Sequence, residues 1–147
     1  MRLKVLPESI DLRTTCSSVE DQGDLGSCTA NALAGAVEFL EKKDNAKFID
    51  ASRLFIYYNE RAIEGTISQD SGAMIRDGIK SLAKQGVCSE VKWPYDISKF
   101  TNTPTDDCYK EALNHQILSY YRIKNLDEMK NCPFKGYTCS WFSLKYF

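Results

Sequence analysis

From residue 27 onward apolar side chains return every three or four positions, at Ala30, Leu33, Ala34, Val37 and Leu40, while Glu38, Glu41, Lys42 and Lys43 fall on other faces. That period matches a helical turn and predicts an amphipathic helix of about four turns with Cys28 in the first. A second helix is expected from about 52 to 63. Leu54, Ile56, Tyr57 and Ala62 form its apolar face, Asp50 or Ser52 caps its start, and Gly65 stops it. A third is expected from about 72 to 85, capped by Ser71 or Asp70, turning Met74, Ile75, Ile79 and Leu82 inward and ending at Gly86.

Elsewhere the period weakens. Residues 1–23 are punctuated by Pro7, Asp11, Thr14, Thr15, Ser17, Ser18 and Gly23 and read as an extended lead-in. Residues 93–105 contain two prolines and read as an ordered, irregular loop, after which Asp106 or Asp107 caps a short helix through His115. Residues 117–123, rich in tyrosine and isoleucine, read as a strand, and 125–132 as a short helix capped by Asn125. Pro133 and Gly136 lead into an aromatic tail, 137–147, of strand-like composition. The chain thus divides into a lead-in (1–23), a helical body (24–124) and a tail (125–147).

Composition narrows the function classes. A chain of 147 residues with 43% hydrophobic side chains can build one packed core. Its 19 basic and 20 acidic residues are scattered, with no run of one sign to hold phosphates or anionic lipid, so neither nucleic acid nor a membrane is an expected partner. The N-terminus has no apolar stretch of signal-peptide length and no long uncharged run follows, which makes a cytoplasmic protein the expectation. Six cysteines, Cys16, Cys28, Cys88, Cys108, Cys132 and Cys139, are read mainly as free thiols. They form no Cys-x-x-Cys pair and the single histidine, His115, has no histidine neighbour, so no metal site or other cofactor is expected.

Chemistry concentrates in Gln22-Gly23-Asp24-Leu25-Gly26-Ser27-Cys28, a glycine-containing loop that ends in a cysteine at a helix start. Unpaired N–H groups and the helix dipole concentrate positive charge there, which favours a thiolate, the form that attacks carbonyl carbon. Attack drives negative charge onto the carbonyl oxygen. The Cys28 N–H and the side-chain amide of Gln22, folded back across the loop, are candidate donors to it.

Gln-Gly-x-x-Gly-Ser-Cys, carried residue for residue from Gln22 to Cys28, is the nucleophile motif of papain-like cysteine peptidases, and the chain resembles that family over about residues 6–123. Leu6 to Arg13 is similar to the family's segment leading into the mature enzyme, Asp70-Ser71-Gly72-Ala73 to its glycine-containing cleft wall, and Trp93-Pro94-Tyr95 to its Tyr-Pro-Tyr. The resemblance implies an α+β papain-like fold, of which this chain holds the mostly helical left lobe, truncated before the β-rich right lobe. It also implies that Cys28 is the nucleophile and Gln22 an oxyanion donor. Gly72 would offer main-chain hydrogen bonds to an extended peptide or protein substrate, and Met74 would border the main specificity pocket.

The departures are informative. Thr29 replaces the usual Trp after the nucleophile, Leu25 stands where many members have a disulfide cysteine, and no inhibitory propeptide precedes the domain; these fit an intracellular, microbial or viral branch. Papain-like catalysis also needs a histidine and an asparagine from the second lobe. The chain stops soon after Lys135-Gly136-Tyr137, where that lobe would begin, and the tail 138–147 ends as an out-of-frame read or early stop would. His115 is read as a helix C-terminal residue away from the cleft, and Cys16, Cys88, Cys108, Cys132 and Cys139 as structural or incidental thiols. Without its second lobe the Cys28 helix should leave Leu33, Ala36, Val37 and Leu40 incompletely covered. Two classes remain: a cysteine peptidase by descent, incomplete unless a partner chain supplies the missing lobe, or a catalytically dead remnant acting as a peptide-binding or interaction module.

Overall fold

The apolar stripe of residues 30–40 is the seam along which the molecule packs in the computed structural model, which describes residues 7–44, 48–134 and 142–145. A single 3-10 turn, Arg13–Thr15, interrupts the extended lead-in, and α1 (Cys28–Lys43), α2 (Arg53–Glu64) and α3 (Ile75–Lys84) follow. A second 3-10 turn, Ile97–Lys99, then precedes α4 (Asp106–Ala112), β1 (Ser119–Arg122), α5 (Leu126–Phe134) and β2 (Phe142–Lys145). The three long helices pack on one another, and Ala30, Leu33, Val37 and Leu40 of α1, Leu54, Phe55 and Ile56 of α2, and Ile79 and Leu82 of α3 close the core. Each large side chain so buried stabilises the fold by about 1.5–3 kcal/mol. Leu33, Val37 and Leu40 are fully covered, and Ala36 is half-buried, so the open face expected on α1 is closed by its own neighbours.

Helix α2 is the centre. Ala51 through Arg61 are all buried, charged members included. Ser52 caps its start by accepting from the Phe55 N–H at 3.1 Å, while Ser52 N–H donates to the Cys88 carbonyl at 2.9 Å and Glu90 N–H to the Asp50 carbonyl at 2.7 Å. The segment after α3 is thereby laced to the start of α2. Gly65, left-handed at φ 73°, ends the helix as expected. Buried Arg61 stacks on the Tyr57 ring and donates to the carbonyls of Ile67, Gln69 and Phe100, fixing the loop after α2.

Helix α3 begins three residues later than the sequence suggests. Gly72 is left-handed (φ 73°) and Met74 extended, so 72–74 stay outside the helix; no side chain caps it, because Asp70 is engaged elsewhere. Met74 accordingly points to solvent, 66% exposed, instead of inward. The expected stop at Gly86 holds, with φ 75°. Thr105, not Asp106 or Asp107, caps α4 by accepting from the Cys108 N–H, and α4 ends at Ala112, short of His115. Asn125 accepts from the Glu128 N–H at 2.9 Å as expected, but Pro133 lies inside α5. Strand β1 falls within 117–123 and pairs antiparallel with β2, Ser119 opposite Lys145 and Arg122 opposite Phe142. Leu6 and Cys139 lie outside the described residues. Among the described residues no helix is long and apolar enough to cross a membrane.

Candidate active site

Leu25, buried in the core, anchors the loop that turns into α1, and Cys28 emerges exposed as the first residue of that helix. A serine at an N-cap ordinarily accepts from the first free N–H groups. Ser27 does not. Its hydroxyl lies 2.5 Å from the Tyr95 hydroxyl and accepts from the Asn31 side-chain amide at 3.1 Å. The first intrahelical bond is Asn31 N–H to the Ser27 carbonyl, at 3.0 Å, so the N–H groups of residues 28–30 precede it and have no carbonyl within the helix. A helix start left uncapped in this way presents donors and positive potential beside the exposed sulfur.

Gln22 lies half-buried on the same loop, its side-chain amide donating to the Leu25 carbonyl at 3.0 Å. An amide has two hydrogens, so one more donor remains. The Gln22 main-chain carbonyl accepts from the Tyr95 hydroxyl at 2.8 Å, which ties both ends of the loop to one phenol. Arg53 in turn holds Tyr95. Its guanidinium sits 4.0 Å from the Tyr95 ring centre, donates to the Asp21 carbonyl at 3.1 Å and to Asn31 Oδ1 at 3.3 Å, and pairs with Glu20 and Glu90. Glu90 accepts from the Tyr95 N–H at 2.5 Å; burial pushes its carboxyl up, with the Arg53 charge opposing.

Across the loop stands the segment 70–74. Both oxygens of Asp70 accept from the Gly26 N–H, at 3.0 and 3.1 Å, and Oδ1 also accepts from the Tyr57 hydroxyl at 2.5 Å. Burial and the Asp70 charge raise the Tyr57 phenol above its ordinary value. Gly72 N–H donates to that hydroxyl at 3.2 Å, and Met74 N–H donates to Glu64 at 2.7 Å. The Gly72 N–H that the sequence offers to a substrate is therefore engaged internally. Ala73, between them, makes no main-chain hydrogen bond among the described residues. Behind Cys28, Thr29 donates to fully buried Glu60 at 2.9 Å; the other Glu60 oxygen has no hydrogen-bond partner among the described residues, and burial pushes this carboxyl up to about 8.

The single histidine is remote from all of this. His115 Nδ1 lies 2.7 Å from Glu41 Oε1, both side chains buried. Glu41 stands thirteen residues beyond Cys28 on the same helix, about 20 Å at 1.5 Å per residue. Cys16 is exposed, and Cys88, Cys108 and Cys132 are buried; Cys16, Cys88 and Cys108, like Cys28, are free thiols. Sequence reasoning missed Arg53 and Glu60 as parts of this neighbourhood; it matched Asp70 and Ala73 to the cleft wall and Tyr95 to the Tyr-Pro-Tyr segment without the contacts that Asp70 and Tyr95 make here. The available signal was charge inside an apolar helix, Arg53, Glu60 and Arg61, which needs buried partners.

A family model described as papain family cysteine protease matches residues 6–135. An uncharacterised peptidase C1-like protein of Acanthamoeba polyphaga mimivirus is 48% identical over 126 residues, 82% of this chain and 40% of that protein. The crystal structure of xylellain, a cysteine protease from Xylella fastidiosa, superposes with a TM-score of 0.81 at 45% identity, covering 90% of this chain and 55% of that one. Digestive procathepsin L 3 of Tenebrio molitor larval midgut shares the fold at a TM-score of 0.73 and 19% identity, over 91% of this chain and 43% of its own. The chain thus spans about half the length of the relatives it matches.

Proposed function

This chain belongs to the papain family of cysteine proteases, and on that premise we propose that Cys28 is the nucleophile of a peptide-cleaving site whose helical half lies within residues 24–124. The observation that carries the reading is the helix start with an exposed sulfur and an N-cap serine turned away from it. The thiolate adds to the carbonyl carbon, a C–S bond forms, and the π pair moves to oxygen. Oxygen is then received by the Cys28 N–H and the remaining hydrogen of the Gln22 amide. The substrate lies extended along 72–74. Ala73 supplies the main-chain groups, in place of Gly72, and exposed Met74 borders the pocket for a neighbouring side chain.

Collapse of the intermediate toward product needs a proton on the departing amine. His115 is tied to Glu41 at the far end of α1, so the acid–base partner comes from a second lobe, in a longer chain or a partner. Alone, this lobe binds peptide carbonyls and attacks them reversibly without turnover, and peptide binding without cleavage is the alternative role that the remote histidine favours.

Thiol mapping tests the reading. Iodoacetamide or a peptidyl epoxide should label Cys28 ahead of Cys16, which is also exposed, and far ahead of buried Cys88, Cys108 and Cys132. Peptide hydrolysis by this chain should be unmeasurable, and unchanged in Cys28→Ala. Uniform labelling would count against a preformed nucleophile; hydrolysis lost in both Cys28→Ala and His115→Ala, with the fold intact, would make the lobe a self-sufficient enzyme.

A further inference from the structure

The two walls of the cleft, the loop 22–27 and the segment 69–74, belong to no helix or strand, and no main-chain hydrogen bond joins them among the described residues. One side chain does. We propose that Asp70 is a positioning residue that couples the nucleophile loop to the substrate-binding segment, setting the distance between the oxyanion donors and the peptide main chain. The inference rests on the reading of Cys28 as nucleophile and of 72–74 as the segment that receives the peptide.

The geometry is a relay with a carboxylate at its centre. Gly26 N–H donates to Asp70, the Tyr57 hydroxyl donates to Asp70, and Gly72 N–H donates to the Tyr57 hydroxyl. The walls touch where the relay closes: a Cβ on Gly26 would lie 2.9 Å from Asp70 Oδ1 and 3.4 Å from the Gly72 nitrogen. A carboxylate accepts from every donor that meets it and brings no hydrogen of its own, which a neutral amide in its place does not match. Arg61 supplies the opposite charge nearby and fixes the Asp70 loop from beneath through the Ile67 and Gln69 carbonyls. The relay matters because a peptide held on 72–74 presents its carbonyl to donors on the loop. A shift of one wall against the other misplaces the oxygen while leaving the sulfur itself unaltered.

A peptidyl aldehyde makes this measurable on the chain as it stands. The Cys28 sulfur adds to the aldehyde carbon, the π pair passes to oxygen, which takes up a proton, and nothing departs, so no histidine is needed to complete the adduct. Affinity is read from the 13C shift of a labelled aldehyde carbon, beside that of acetaldehyde, which has no peptide to anchor, and beside the iodoacetamide rate at Cys28. Asp70→Ala should weaken the peptidyl adduct by about tenfold or more, Asp70→Asn by less, with the acetaldehyde affinity and alkylation rate nearly unchanged. Tyr57→Phe, which removes both hydrogen bonds of the Tyr57 hydroxyl, to Asp70 and from Gly72, and leaves Gly26 on Asp70, should reproduce the split and carries the test should Asp70→Ala unfold. Unchanged peptidyl affinity in both variants overturns the inference and leaves the nucleophile standing, as does a parallel fall in all three readouts, which would mean a merely distorted loop. A wild-type chain that forms no adduct at Cys28 overturns both.

Discussion

Glu60 holds a proton at neutral pH because its carboxyl is buried, and neighbouring Glu64 and Asp77 add to the burial cost against the opposing hydrogen bond from Thr29 and the charge of Arg61. The folded value, about 8, lies above the ordinary 4.5. Between those values the folded chain binds more protons than the unfolded one, so this contribution is complete below about pH 4.5 and lost as pH rises through 8. The loss is on the order of a few kcal/mol. Urea midpoints at pH 6 and pH 9 should therefore differ more in the wild type than in Glu60→Gln, and equal differences would remove Glu60 as the cause. At this scale Cys28 and Gln22 were legible because seven consecutive residues specify a loop and a helix start together. The bonds of Asp70 to Gly26 and of Tyr95 to Ser27 and Gln22 were not, because they span 44, 68 and 73 residues of sequence and only the folded chain makes them.

Among the elements, local caps account for some of the boundaries that periodicity gave correctly. Ser52 and Gly65 bound α2 with their own neighbours, and Asn125 does the same for α5. The start of α3 failed that test because Asp70, an adequate cap by type, is drawn away to Gly26 and Tyr57. Periodicity likewise could not show that Pro133 would sit within the last turn of α5. Where α3 ends, the chain is held tightly. A Cβ on Gly86 would lie 1.8 Å from the Ala112 carbonyl oxygen and 2.8 Å from that of His115, on a backbone already at φ 75°. Both obstacles are main chain, so Gly86→Ala should destabilise the protein by roughly 3 kcal/mol, seen as a lower denaturant midpoint at unchanged slope. A midpoint within error of the wild type would mean that the α3–α4 joint can move apart.

On the scale of the molecule, the helical lobe was legible in outline: three amphipathic helices, an irregular lead-in and a strand near 119–122. The covering of the α1 face was not. The sequence pattern marks which positions are apolar, not which neighbours cover them, and α2 with α3 closes the face of α1 that seemed to await another lobe. That closure makes α2 the most enclosed element, buried from Ala51 through Arg61. No partial opening bares its backbone without dismantling the contacts of α1 and α3 together. Amide hydrogens of 53–64 should therefore exchange with deuterium only as often as the entire lobe unfolds, whereas those of the exposed lead-in, 7–24, should exchange orders of magnitude sooner. Mass spectrometry of peptides from the two segments would read this directly, and comparable exchange in both would contradict it. The slowest amides of one helix would then clock how often the whole lobe comes apart.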